Sequence, residues 1–295
     1  MTALTRARAL ALLAAAPLAA CGNRGDAVKV GSKNFTEELI LGELYAQSLE
    51  HAGIPVTRKL NLGTTDIAMA ALRRGEIDLY PEYTGTALLN ILHLPPDSDP
   101  KRSYATVKAA FAKQFDLIWL DPAPFNDTQA LATTQAIAGT YALGTLSDLA
   151  VKAGELRLGT VPEFLTRADG LPGLQKRYGG FHFKAVKVLD NGLKYAALQH
   201  GDVDVVVAFS TEGQLKADSL IVLEDNKHLF PVYQAAPVVR RAVLTAKPAI
   251  AETLNKVSPL LDTDLMQNLN LQVEGPQKRD PADVARDFLK QHGLA

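Results

Sequence analysis

Apolar and polar positions along the chain follow two rhythms. Val28-Lys29-Val30 alternates with period two, as a half-buried strand does, and runs into Gly31-Ser32-Lys33. Asn34, with Glu37 three residues on, reads as an N-cap pair. It opens a helix with Leu41, Leu44, Tyr45 and Leu49 on one face, closed by Gly53 and Pro55. Val56 to Leu62 reads as a second strand, Thr64 or Thr65 caps a helix ending at Gly75, and Glu76-Ile77-Asp78-Leu79-Tyr80 reads as a third strand. Strands alternating with helices imply parallel strands joined by crossover helices, the α/β class.

The same script recurs. Leu156-Arg157-Leu158-Gly159-Thr160 mirrors Val28 to Ser32, and Ala197-Leu198-Gln199-His200-Gly201-Asp202-Val203-Asp204-Val205 mirrors Ala71 to Leu79. The match places Tyr83 opposite Phe209, and Thr86 opposite Glu212. Helix–glycine–strand units recur in any α/β protein, but the near-equal glycine spacing favours two pseudo-symmetric lobes. Between them, Trp119-Leu120-Asp121-Pro122-Ala123-Pro124-Phe125 carries two prolines around a short extended stretch, as a crossover would. A second such stretch surrounds Phe230-Pro231-Val232-Tyr233 and Pro237-Val238-Val239-Arg240. A helical region from Ala249 to Leu269 follows, then a last helix opened by Asp280-Pro281. The expected division is residues 28–124 with 231–295 in lobe 1 and 125–230 in lobe 2. Two crossings between lobes make a hinge and a cleft.

The first twenty residues read as an export signal. Arg6 and Arg8 precede an apolar run from Ala9 to Ala20, too short to span a bilayer. The run ends in Leu18-Ala19-Ala20-Cys21-Gly22, which resembles a lipobox; an ordinary secretory signal with a chance cysteine is the alternative. Residues 21–27 would then form a tether lipidated at Cys21. That cysteine is the only one in 295 residues, so internal disulfides and multi-cysteine metal sites are excluded. A formal net charge of −1 gives no electrostatic footprint for nucleic acid.

Enzyme signatures are sparse. There is no G-x-S-x-G, H-E-x-x-H, phosphate loop or G-x-G-x-x-G, and the six histidines are scattered. Asp78 with Glu82, and Asp202 with Asp204, could pair for acid–base work but read better as strand-end residues. What stands out is Tyr80-Pro81-Glu82-Tyr83-Thr84-Gly85-Thr86 after one strand and Ala208-Phe209-Ser210-Thr211-Glu212-Gly213 after its counterpart. Ligands sit beyond the carboxyl ends of parallel strands. Facing lobes would aim Tyr83 and Phe209 at one cleft, where aromatic faces attract a quaternary ammonium; core filler is the competing role.

At these residues a resemblance becomes specific. Gly31 to Glu37, Tyr80 to Thr86, Trp119 to Asn126 and Pro237 to Arg240 look like the osmoprotectant-binding proteins of ABC importers, from about Val28 to the C-terminus. The resemblance implies a two-lobed periplasmic-binding-protein fold that closes on glycine betaine, choline, carnitine or a related solute. It also implies a site. Tyr83, Phe209 and Tyr233 fall at cage positions, Thr86 at a polar contact, and Lys33 and Arg167 where cations meet a ligand carboxylate. In Asn126-Asp127-Thr128-Gln129, Asp127 is carried over, and Gln129 stands where the family usually has an aromatic. An amide has no π face, so the cage would be three-sided or would recruit Phe164.

The expectation is thus a monomeric, non-enzymatic solute receptor without cofactor or metal. It would be lipid-anchored on the periplasmic or cell-envelope face, delivering its ligand to an ABC permease and its ATPase. Rival readings are a receptor for another small zwitterion (an amino acid or a modified histidine), an exported two-lobed enzyme, and a sensor. Trp119, beside the first crossover, would report ligand by fluorescence.

Overall fold

Two five-stranded sheets share one topology. The computed structural model describes residues 27–294. The export signal and the lipidation expected at Cys21 therefore lie outside the described residues. The strands are β1 (Val28–Gly31), β2 (Val56–Lys59), β3 (Leu79–Tyr83), β4 (Leu117–Trp119), β5 (Gln129–Thr133), β6 (Arg157–Thr160), β7 (Ala185–Val188), β8 (Val205–Phe209), β9 (Ile221–Val222) and β10 (Ala235–Arg240). One sheet runs β2-β1-β3-β10-β4 and the other β7-β6-β8-β5-β9. In each, three parallel strands are followed by an antiparallel strand that the chain reaches by crossing between sheets. The internal repeat extends to single hydrogen bonds. Asp78 Oδ2 accepts from the Lys29 amide at 2.9 Å, and Asp204 Oδ2 from the Arg157 amide at 2.8 Å. Gly75 and Gly201 end the matching helices with φ of 71° and 73°, a left-handed turn that glycine adopts without steric cost. These bonds make Asp78 and Asp204 strand-end anchors.

Local details depart from the sequence pattern. The first helix, Thr36–His51, has Phe35 at its N-cap with no side-chain cap bond, so Asn34 does not cap it. Glu37 instead turns inward and is buried. The third strand begins at Leu79, because the left-handed Gly75 leaves Glu76 to Asp78 in the connection. The second strand stops at Lys59. The region from Ala249 breaks at Ser258–Leu260 into helices Ala249–Val257 and Thr263–Glu274. Asp280 does cap the last helix, Pro281–Gln291, accepting from the Ala282 amide at 2.8 Å.

The closing helices cover the first sheet. Leu41, Leu44 and Leu49 of the first helix share a core with Ile250, Leu254, Val284 and Phe288. Each such fully buried side chain contributes about 1.5–3 kcal/mol relative to exposure. Trp119 is wholly buried, packs edge-to-face on Phe111 at 5.4 Å, and does not line the cleft, so any fluorescence response to ligand would come through closure rather than contact. The two crossovers are bonded to each other: the Asp127 amide donates to the Tyr233 carbonyl at 3.0 Å, and Tyr233 N to Asn126 Oδ1 at 2.7 Å.

Candidate functional site

A cavity of about 820 Å³ opens where the carboxyl ends of β3 and β8 face each other. Lys33, Tyr83, Thr86, Asp127, Gln129, Phe164, Arg167, Phe209 and Tyr233 all line it. The repeat sets this convergence. Tyr83 ends β3 opposite Ala235 of β10, and Phe209 ends β8 opposite Gln129 of β5, so the two rings occupy equivalent positions.

Each ring is backed by a buried lysine. Lys33 Nζ lies 4.7 Å from the Tyr83 centroid, and Lys194 Nζ 4.9 Å from that of Phe209. Each lysine is paired with a carboxylate, Lys33 with Glu82 at 2.7 Å and Lys194 with Glu212 at 2.6 Å. Each carboxylate also accepts from a buried tyrosine, Tyr80 and Tyr195 respectively. Burial disfavours the charged Lys33, but Glu82 and Glu38 outweigh it and hold its pKa above the ordinary value. Glu38, buried beside them, is pushed up to about 8, chiefly by desolvation.

The opposite wall is organised by Asp169, 2% exposed. Arg167 meets it through Nε at 2.9 Å and Nη2 at 2.8 Å. The Tyr233 hydroxyl and Gln129 Nε2 also donate to it in short hydrogen bonds. Gln129 thus fills its aromatic-lacking position as a strut between Asp169 and Tyr233. Phe164 is almost wholly buried in the core of the second lobe, with an edge on the cavity. Both cations nominated for a ligand carboxylate, Lys33 and Arg167, therefore carry internal counter-ions.

Glu37, Asn270 and Asp169 were not singled out as site residues by the sequence, whereas Asp127 was. Glu37 Oε1 accepts from the Tyr83 hydroxyl at 2.7 Å, and Oε2 from Asn270 Nδ2 at 2.9 Å. Asp127 Oδ1 accepts from the Thr211 hydroxyl at 2.7 Å. Burial is the main force raising both carboxyl pKa values, with Glu212 adding to it at Glu37 and Glu37 adding to it at Asp127. Gly85 is a close-approach position: a Cβ there would sit 2.5 Å from Tyr233 Cε1. Asp169 lies two residues after Arg167 and Glu37 ends the Gly31 to Glu37 stretch, so both were within local reach of the motifs, whereas Asn270 was not. Among the described residues, no group of three or more metal-ligating side chains converges, and no helix is long and apolar enough to cross a membrane.

Residues 26–291 match the family described as the substrate-binding domain of ABC-type glycine betaine transport systems. The chain is 37% identical over 266 residues to an ergothioneine transport permease/ergothioneine binding protein, EgtU, of Helicobacter pylori, covering 90% of this chain. It spans about half of that relative's length, 47%. It is also 37% identical over 298 residues to the glycine-betaine-binding protein of Pseudomonas aeruginosa, covering 97% of this chain and 94% of the relative. A solved structure described as a glycine betaine/carnitine/choline ABC transporter aligns with TM-score 0.77 at 35% identity, over 90% of this chain and 99% of its own. Apo YehZ from Escherichia coli aligns with TM-score 0.69 at 36% identity, over 91% and 99%.

Proposed function

The chain belongs to the family of substrate-binding domains of ABC-type glycine betaine transport systems, and from that premise we propose that it captures glycine betaine or a related quaternary-ammonium solute in the cleft and presents it to a membrane permease. The observation that carries this reading is the cavity itself, where Tyr83, Phe209 and Tyr233 converge from both lobes beside buried carboxylates. An aromatic face attracts a cation by about 0.5–2 kcal/mol depending on desolvation. A methylated cation sheds its hydration cheaply, whereas a primary ammonium needs acceptors to replace lost water, so the cage selects for methylation. The protein performs no chemistry; closure about the crossovers at 124–125 and 230–231 couples capture to docking.

The receptor acts as a monomer, held at the envelope face of the membrane by a lipid on Cys21. Mass spectrometry of the membrane fraction should show an acylated N-terminal Cys21, and Cys21→Ala should release soluble protein. A second reading, a betaine derived from a modified histidine, draws support from the Helicobacter relative's name and from the amide of Gln129 where an aromatic is usual.

A thermal-shift panel of glycine betaine, choline, carnitine, ergothioneine and common amino acids tests the proposal. A rise in melting temperature with at least one quaternary ammonium is expected. Stabilisation by amino acids alone would overturn it.

A further inference from the structure

The charges around the cavity do not balance evenly. Each buried or half-buried cation has its own partner: Lys33 has Glu82, Arg167 has Asp169, and Lys194 has Glu212. Glu37 and Asp127 are bonded instead by neutral donors, Glu37 by the Tyr83 hydroxyl and the Asn270 amide, Asp127 by the Thr211 hydroxyl. Asn270 joins the two, since its Nδ2 also donates to the Thr211 carbonyl at 3.0 Å. Both amide hydrogens are thereby directed at Glu37 and Thr211, which fixes the amide's orientation. Asn270 is 3% exposed and lines the cavity, and its Oδ1 accepts from no protein group.

The wall beside Tyr83 therefore presents two carboxyl groups and an unpartnered amide oxygen, with no cation bonded to any of them. Resting on the quaternary-ammonium reading above, we propose that Glu37 and Asp127 are specificity determinants that favour a ligand of net positive charge, such as a quaternary ammonium alcohol, over a zwitterionic betaine. Burial favours the protonated forms of Glu37 and Asp127, so a net cation entering on closure draws them to ionise and supplies their countercharge. A zwitterion brings a carboxylate of its own into a cavity whose Arg167 is already satisfied by Asp169, so it must compete for that guanidinium or leave its own charge uncompensated. Burial strengthens the effect, because attraction and repulsion both grow as water is excluded. Glu37 comes from the first helix of lobe 1, while Asp127 and Thr211 sit on the crossover and in lobe 2, so the wall is assembled only when both lobes contribute.

Isothermal titration of the protein with choline and with glycine betaine reads the preference directly. Choline is expected to bind at least tenfold tighter. Glu37→Gln and Asp127→Asn should each shrink that ratio at least threefold, with melting temperatures confirming that the variants are folded. If one variant fails to fold, the other carries the test. Glycine betaine binding as tightly as choline, or a ratio unchanged in the folded variants, would overturn the inference while leaving the quaternary-ammonium reading intact. Binding of neither ligand, nor of any other quaternary ammonium, would remove that reading and this inference with it.

Discussion

Arg167 closes on Asp169 through two parallel hydrogen bonds, Nε to Oδ1 at 2.9 Å and Nη2 to Oδ2 at 2.8 Å. A bidentate pair of this kind is strong and directional, so the guanidinium best placed to take a ligand carboxylate is already engaged. Asp169→Asn keeps a hydrogen-bonding side chain but removes the charge. Glycine betaine affinity should rise relative to choline by about tenfold, equivalent to about 1.4 kcal/mol. Calorimetry on both ligands checks this; an unchanged ratio would show that Arg167 takes no part in carboxylate recognition.

Gln129→Tyr should tighten quaternary-ammonium binding by about 1 kcal/mol, because a ring replaces an amide that has no π face. The substitution also costs Asp169 one of its donors, but Arg167 and the Tyr233 hydroxyl remain on it. Titration of glycine betaine against this variant should show the gain, and an equal or weaker affinity would contradict it.

Tyr83 and Tyr233 should each lose about 1–2 kcal/mol of ligand binding on replacement by alanine. Tyr83→Phe separates ring from hydroxyl. It keeps the π face but removes the donor that Glu37 Oε1 accepts. We expect ligand affinity within about threefold of wild type and a lowered melting temperature, because a buried hydrogen bond worth about 1–3 kcal/mol is lost.

Gly85 sets the position of Tyr233. A Cβ at residue 85 would stand 2.5 Å from Tyr233 Cε1 and 2.6 Å from its Cδ1. Gly85→Ala should displace the Tyr233 ring and weaken binding at least about tenfold, a cost of about 1.4 kcal/mol, while far-ultraviolet circular dichroism stays native. Unaltered affinity would mean that the Tyr233 ring contributes little to the cage.

Stability should depend on pH through Glu38, whose carboxyl is pushed up to about 8 from an ordinary value of 4.5. Between those values the folded protein holds a proton that the unfolded chain has released, so unfolding releases protons and stability falls as pH rises through the window. The melting temperature should decline from pH 5 to pH 8, and Glu38→Gln should flatten that slope. A slope unchanged by the substitution would show that Glu38 is not the group responsible.

Much of this arrangement was legible in the chain. The matched glycines, the aromatics Tyr83 and Phe209 placed just after matching strands, and the proline-bearing crossovers pointed to the two-lobed α/β fold and to residues that converge on the cavity. What stayed hidden is pairing across sequence distance. Lys33 and Glu82 are 49 residues apart, and Asn270 meets Glu37 from 233 residues away. Glu37 sits three residues after Asn34, a spacing that suits a capping box, and local pattern cannot distinguish an N-terminal turn from an inward carboxylate. The surroundings of Trp119 stayed hidden for a related reason: its place beside a crossover said nothing of the Phe111 ring packed on it.

Paired titrations that differ only in methylation decide whether aromatic faces capture the ligand: choline against ethanolamine, and glycine betaine against glycine. Capture by aromatic faces predicts that the quaternary member of each pair binds more tightly, by at least about tenfold in the favoured pair, from the sum of several ring contacts of about 0.5–2 kcal/mol each. Equal binding within both pairs, or tighter binding of the primary amines, would contradict it.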